Sequence, residues 1–565
     1  MDERRLLIAV ALSLLVLAGY QMLFPPAPPS ARPTPAPPTA SAPAASPIPP
    51  VATPTPPARA RKRPGAAASA APIARVVDER ERRVEVTGPD LVVAFSNRGA
   101  RLLSWQLLGF RDARGRPEEM VPAGKEGPRP LDLETGQPDI DARLREALFR
   151  PSSADVRLGP NGGDLRFEFA EGDLQASKSF RFPSQGYLVE VRAAVTKGGQ
   201  ALPLKVLWGP GVGNATAEER EVQGYQPPQA VYRGPGSVER VPPEKIGGGR
   251  TLTDAAWVGV ESTHFAALWV PPAPGVQAEV RAVALPLQDG KQHHAPVAAV
   301  TLPVSDTAAT LIYVGPKDYQ ILAALDHGLK EVVPVGDWIG PIVVPLMGLL
   351  RWAYRHTGNY GWSIVLLTVL INVLMAPLRH FSIANGLKMA KMAPEMRVIQ
   401  ERYRKVPLMD PKRQDMQQEI SELYERHGMS MSTQMLVGCL PLLLTMPFLI
   451  AFYRVLQVSI ELRGAPFLWI ADLSRKDPYF LTPVLMGLSM FLMQKMMPSA
   501  MDPAQQKIMM IMPAALSVMF LWAPAGLNLY WLASNVCSII QQAITLKILQ
   551  GRDADLAPRR ERKRA

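Results

Sequence analysis

Asn372 and Arg379 stand seven residues apart in the stretch TVLINVLMAPLRH, residues 368–380, inside a run apolar enough to cross a bilayer. On an α-helix that spacing is a net rotation of about 20° and a rise of about 10 Å, so the two side chains share a face. They offer a neutral hydrogen-bonding amide and a fixed positive charge. Further polar side chains recur along the apolar runs of the C-terminal half: Thr368, Thr445, Gln494, Ser517, Asn528, Tyr530, Trp531, Ser534, Asn535 and Gln541. Polar groups are costly in hydrocarbon, so such a set faces either the protein interior, as hydrogen-bonding glue between helices, or a wet cavity.

The composition says what this chemistry is not. The chain has 565 residues, 47% hydrophobic and 20% charged, which is too long for one domain and too apolar for an ordinary soluble enzyme. Its net charge of +12 fits cytoplasmic loops obeying the positive-inside rule and contact with an anionic membrane surface; DNA is not an expected partner. The two cysteines, Cys439 and Cys537, both lie in apolar runs and supply neither a disulfide framework nor a metal spacing. No phosphate loop, zinc helix, nucleophile elbow or dinucleotide fingerprint is present, and His293 and His294 in KQHHAP read as loop residues. We therefore expect no enzyme activity, no cofactor and no metal.

The elements that would position the polar set follow from hydropathy and periodicity. Leu6 to Phe24 is an apolar run behind the charged MDERR; a cleaved signal peptide competes, but the run is long and lacks a nearby small-x-small site, so residues 1–24 read as a transmembrane anchor. Residues 25–74, rich in Pro and Ala, form an extended linker. Residues 75–325 alternate with period two in LVVAF, DLRFEFA, KSFRF and YLVEVRAAV, which predicts antiparallel strands in a two-sheet β-sandwich. Residues 326–358 contain GDWIGPIVVPLMGLLRWAYRHTG, whose apolar face, tryptophans and basic end suit an amphipathic helix lying at the interface.

Five longer apolar runs follow: Gly361 to Leu378, Met435 to Ser459, Pro478 to Met497, Ile508 to Trp522 and Ala525 to Leu546, the last two joined as a hairpin through WAPAGLN. Within this core, residues 359–546, a hairpin of two amphipathic helices spans 380–430 around VPLMDP, with Asp410 and Pro411 starting its second helix. Residues 547–565 are a basic tail. The fold class expected is a polytopic α-helical membrane protein of six transmembrane helices, five forming the core, with an all-β sandwich domain. The excess of Lys and Arg in the hairpin and tail puts both termini in the cytoplasm and the β-domain outside.

The ordered blocks GNYGWSIVLLT, APLRHFSIANGLKMAKMAPEM, GCLPLLLTMPFLIAFYRVL, ELRGAPFLWIADLSRKDPYFLTPVLMGLSMFLMQKMMP, DPAQQKIMMIMP and PAGLNLYWLASNVCSIIQQ closely resemble the YidC family of membrane-protein insertases, in the Oxa superfamily, of Gram-negative-type bacteria. The β-domain is similar through VEVTGPDLVVAFSNRGARLLSWQL, AWVGVESTHFAALWVPP and VGPKDY. The resemblance implies an inner-membrane protein with a periplasmic sandwich, a five-helix core, and a polar groove open to cytoplasm and lipid. It implies nascent membrane-protein clients, membrane lipids and the Sec translocon as partners, and ribosome contact through the cytoplasmic hairpin and the basic tail. Thr368, Gln494, Tyr530 and Trp531 match groove-facing positions, and Asn528 and Asn535 join them in the expected groove set.

Two departures from the family pattern bear on mechanism. The family's groove arginine aligns with Asn372, so we expect a neutral lining there and the positive charge from Arg379, nearer the cytoplasm. The alternative is that Asn372 is interhelical glue and Arg379 a positive-inside anchor beyond Pro377. The Asn-Pro that usually precedes the third span is replaced by HGMSMSTQMLVGC. Against the insertase reading stand a small-molecule transporter with a midplane site at Asn372 and Gln494, which needs inverted repeats that are not seen, and a sugar-modifying role for the β-domain.

Overall fold

The computed structural model describes residues 75–112, 114–122, 127–221, 225–286, 292–302, 309–403, 406, 410, 412–427, 446–496 and 503–561. The expected anchor, 1–24, the linker, 25–74, Cys439, Thr445 and the HGMSMSTQMLVGC segment from Gly428 onward lie outside these residues.

Alternation produces the strands. Leu174–Phe182 turns Leu174, Ala176, Lys178, Phe180 and Phe182 inward and the residues between them outward. It lies in a ten-stranded sheet, with Gly163–Glu171 on one side and Leu188–Lys197 on the other, both antiparallel. The expected single facing sheet is instead two five-stranded sheets, one built around Arg83–Thr87, Leu91–Ser96 and Arg101–Arg111, the other around Leu204–Trp208, Ala278–Pro286 and Gln292–Leu302. At about 4.8 Å per strand, ten strands are roughly twice as wide as one five-stranded sheet, so two stand over the same face.

Trp105 of the first small sheet joins the three, lying 6.1 Å from Phe182 of the large sheet and 6.0 Å from Trp208 of the second. Lys178 does the same with charge. Its buried ammonium donates to the carbonyls of Gly99 and Ala100 at 2.9 and 3.0 Å and to that of Leu131 at 2.9 Å. Strands Trp257–Glu261 and Phe265–Val270 are buried on both faces and accordingly read as continuous apolar runs. His293 and His294 are exposed in the strand Gln292–Leu302 rather than in a loop, because their hairpin extends farther than its turn signals suggest.

Helix Gly340–Thr357 begins with Pro341 in its first turn and ends at Gly358, whose φ of 65° lets its N–H reach Tyr354 O at 2.8 Å. Asn359 then caps the following helix, its Oδ1 accepting from the N–H groups of Gly361 and Trp362 at 2.9 and 3.2 Å. That helix, Tyr360–Arg402, continues through Pro377 and Pro394. Among the described residues, Tyr360–Arg402 and Ala525–Leu549 are long and apolar enough to cross a bilayer, while Met446–Val458 and Met509–Trp522 are apolar but shorter. Leu481–Met496 completes the helical core, packed so closely on the next helix that a Cβ at Gly487 would overlap Ser517 Oγ.

Two arginines tie the loop at 459–477 to its surroundings. Arg463 donates to Glu118 at 2.7 Å and Glu219 at 2.9 Å, with its guanidinium over the Phe265 ring. Arg351 bridges Asp318 at 2.8 Å and Glu461 at 2.5 Å.

A separate compact unit includes the described residues of 394–427. Its two helical stretches run antiparallel, joined by Arg402 to Glu419 at 2.9 Å and by His427 to Glu395 at 3.8 Å. The second of them, Lys412–Arg426, starts where Asp410 Oδ1 accepts the Lys412 N–H at 2.9 Å.

Candidate functional site

Two helices build the polar cluster. Tyr360–Arg402 carries Thr368, Asn372 and Arg379, and Ala525–Glu561 carries Asn528, Tyr530, Trp531, Asn535 and the serines Ser534 and Ser538. Gln541 Nε2 fixes them side by side by donating to Ala376 O at 2.6 Å. The start of the second helix is held by the loop at 459–477, Ala525 N–H donating to Arg475 O at 2.6 Å and Gly526 N–H to Leu473 O at 2.9 Å.

Side chains on a helix lean toward its N-terminus, and Arg379 reaches back along its own helix to Asn372. Its Nη1 donates to Asn372 Oδ1 at 2.6 Å and to Ser538 Oγ at 2.5 Å. The charge is thus brought to the level of Asn372 rather than held apart from it. Asn372, 6% exposed, uses its other end as a donor, Nδ2 reaching Thr368 O at 2.7 Å and Ser534 Oγ at 3.5 Å. Ser538 Oγ donates to Ser534 O at 2.7 Å, which turns its lone pairs to the guanidinium.

The choice of asparagine has an electrostatic consequence. Aspartate at 372 would neutralise Arg379, whereas a neutral amide orients the guanidinium and leaves its charge undiminished. Among the described residues Arg379 forms no ion pair, and its Nε and Nη2 hold no hydrogen bond. A guanidinium has five donors, so this one can still receive a carboxylate.

The remaining candidates are placed differently. Thr368 is fully buried and its hydroxyl donates to Ile364 O at 2.6 Å, a bond within its own helix. Asn535 is buried between helices, donating to Ser489 Oγ at 2.9 Å, and Asn528 donates to Phe520 O at 3.2 Å. Tyr530 stacks on Phe452 at 4.1 Å, and Trp531 meets Phe520 edge-on at 5.7 Å. Gln494 is half-buried on Leu481–Met496 and makes no hydrogen bond to Asn372 or Arg379. Ser538 was missed in the sequence; its signal is the four-residue spacing from Ser534, which puts two hydroxyls on one helix face.

Among the described residues no group of His, Cys, Asp or Glu could hold a metal ion. What the cluster can do is hydrogen-bond a polar segment and attract an anionic one.

Known proteins place the chain. A family model described as 60Kd inner membrane protein matches residues 352–552, and one described as YidC periplasmic domain matches residues 83–349. The membrane protein insertase YidC of Geobacter metallireducens is 32% identical over 570 residues, covering 98% of this chain and 100% of that one. That of Bordetella avium is 33% identical over 82% of each chain. A crystal structure of an active YidC insertase with the first transmembrane domain resolved is similar over 83% of this chain and 94% of that one, at 16% identity and a TM-score of 0.34.

Proposed function

The chain belongs to the YidC family of membrane protein insertases, and from that premise we propose that it inserts its clients through a polar groove whose working centre is the Arg379 guanidinium held by Asn372 and Ser538. No covalent bond is made or broken, so the protein is not an enzyme in the chemical sense. It accelerates partitioning.

A client span of 20 residues, at about −0.3 to −0.6 kcal/mol each, gains roughly 6 to 12 kcal/mol in the bilayer. The obstacle is its hydrophilic flank, since one Asp, Lys or Arg at the bilayer centre costs about 2.5 to 3.5 kcal/mol or more. Arg379 offers an acidic flank a partner on the way, while Asn372, Ser534, Ser538 and Gln541 offer hydrogen bonds to any polar backbone. The client's apolar segment then contacts the core helices and leaves sideways into lipid. Thr368, Gln494, Asn528, Tyr530, Trp531 and Asn535 shape the walls of this path.

Around the groove we place six membrane spans: the N-terminal anchor and five in the core. Both termini are cytoplasmic, the β-domain of residues 75–325 is periplasmic, and helix Gly340–Thr357 lies along the outer interface. The basic hairpin receives the nascent client and, with the tail, meets the ribosome; the Sec translocon is the partner for larger clients.

The observation that carries this reading is an arginine oriented by neutral partners and, among the described residues, lacking a carboxylate. It is tested by placing a photo-crosslinking side chain at Ser534 or at exposed Leu374 and synthesising a short single-span client in the presence of membranes containing the protein. Crosslinks to the client's hydrophilic flank from 534 and not from 374 support the groove; the opposite pattern overturns it.

A further inference from the structure

The loop between the helices Met446–Val458 and Leu481–Met496 carries two strained tips. Leu468 has a φ of +52° and is 69% exposed. It is the first residue of a two-residue turn closed by a pair of hydrogen bonds, Phe467 N–H to Ile470 O and Ile470 N–H to Phe467 O, both 2.8 Å. Glycine is the default residue there, because only it enters the left-handed region without strain. Phe480 has a φ of +54° and follows Tyr479, which is 72% exposed. Left-handed backbone in bulky apolar residues is rare, and it persists only where the surroundings over-determine it.

One buried carboxylate does so for both tips. Asp477 Oδ1 accepts from Trp469 Nε1 at 3.1 Å and from Tyr479 N–H at 3.0 Å. Its Oδ2 accepts from the N–H and hydroxyl of Thr482 at 2.7 and 2.8 Å. The loop therefore spends a buried charge to hold apolar side chains outward, the reverse of what burial of apolar surface favours in water.

Its other charged residues are taken up in ion pairs, Arg475 with Asp472 at 3.3 Å among them. Arg463 faces Glu118 and Glu219, Lys476 faces Glu221, and Glu461 faces Arg351. The tips, PFLWI and PYFL, carry no charge. From Phe480 the exposed apolar surface runs without interruption onto Leu481, Val484 and Leu488 of the next core helix. Exposed Trp362 packs edge-on against Phe467 at 5.3 Å, at the start of the long helix Tyr360–Arg402.

We propose that Leu468, Tyr479 and Phe480 form a rigid wedge seated among the acyl chains of the outer leaflet, with lipid as its partner. The wedge is the outward continuation of the lipid-facing helix surface, flanked by tryptophan at headgroup level. It rests on the membrane placement of the core, not on the groove chemistry, and its failure would leave the role of Arg379 standing.

The test uses the full chain with Cys439 and Cys537 replaced by serine, an environment-sensitive fluorophore on Leu468→Cys, and proteoliposomes of phosphatidylethanolamine and phosphatidylglycerol. Lipids bearing a nitroxide near the glycerol end of the acyl chain should remove most of the emission from position 468, and little from a label on Gln200→Cys, exposed on the β-domain. Tyr479→Cys, outside the left-handed region, is a second reporter should the turn variant misfold. If both 468 and 479 are quenched no more than 200, the loop lies in water or against protein, and the proposal is overturned.

Discussion

Replacing Arg379 by methionine keeps the length of the stem and removes the charge that Asn372 Oδ1 and Ser538 Oγ orient. A client carboxylate seated about 4 Å from the guanidinium would be attracted by about 1 kcal/mol if the groove were as polar as bulk water and by about 4 kcal/mol at an effective dielectric of 20. The cost to be offset is about 2.5 to 3.5 kcal/mol for one acidic residue at mid-membrane, so the attraction is of the right size to matter. Converted to rate, its loss slows insertion by roughly 5-fold at the wet limit and several-hundred-fold at the drier one. The assay is insertion of a short single-span client into proteoliposomes, with the outer flank either acidic or made neutral by Asp→Asn. Arg379→Met should slow the acidic client by at least about 5-fold and leave the neutral one within about 2-fold. Arg379→Lys should fall between, because an ammonium keeps the charge but not the fork. Equal slowing of both clients would refute the electrostatic reasoning, since it would mean that Arg379 serves helix packing alone.

Three other outcomes follow from the geometry. Arg463→Ala strands Glu118, 4% exposed, beside Glu219, which keeps Arg475 at 3.5 Å, and should destabilise the protein in detergent by about 3 to 5 kcal/mol, with part recovered when Glu118 becomes glutamine. Burial lowers the Lys178 ammonium from 10.5 to about 8; the unfolded chain then binds more protons between those values, so Lys178 is least favourable to the fold below pH 8 and stability rises as pH climbs through that window. Chemical unfolding on either side of the window should show this slope, and Lys178→Met should flatten it. Gly487→Ala puts a methyl on Ser517 Oγ and should lower the melting temperature, whereas Gly487→Ala with Ser517→Gly should restore most of it.

Period-two alternation made the β-domain legible, and proline, glycine and tryptophan placement made the helix at Gly340–Thr357 legible. The ten-stranded sheet was not, because its width depends on pairings such as Glu190 with Leu311, far apart in sequence. Lys178 could not be read as a core residue from KSFRF, since alternation alone puts it inward and its charge argues outward; three converging carbonyls decide the matter. At the candidate site, the shared face of Asn372 and Arg379 followed from spacing, but the contact between them depends on a rotamer that reaches back almost two turns. The spacing of Ser538 from Ser534 puts both hydroxyls on one helix face, but that this face meets Arg379 depends on the packing of a helix more than 150 residues downstream. The continuity of Tyr360–Arg402 through two prolines was likewise hidden, because the local rule for proline favours a break.

The central claim is that this chain lowers the barrier to membrane insertion using its own polar groove and no chemical energy. The most direct measurement is protease protection of a short client offered to nucleotide-free proteoliposomes that contain only the purified full chain. The account predicts protected client with the wild-type protein, little with empty liposomes, and a loss confined to acidic-flanked clients with Arg379→Met. Protection that requires nucleotide or an added protein, or that matches empty liposomes, would contradict it.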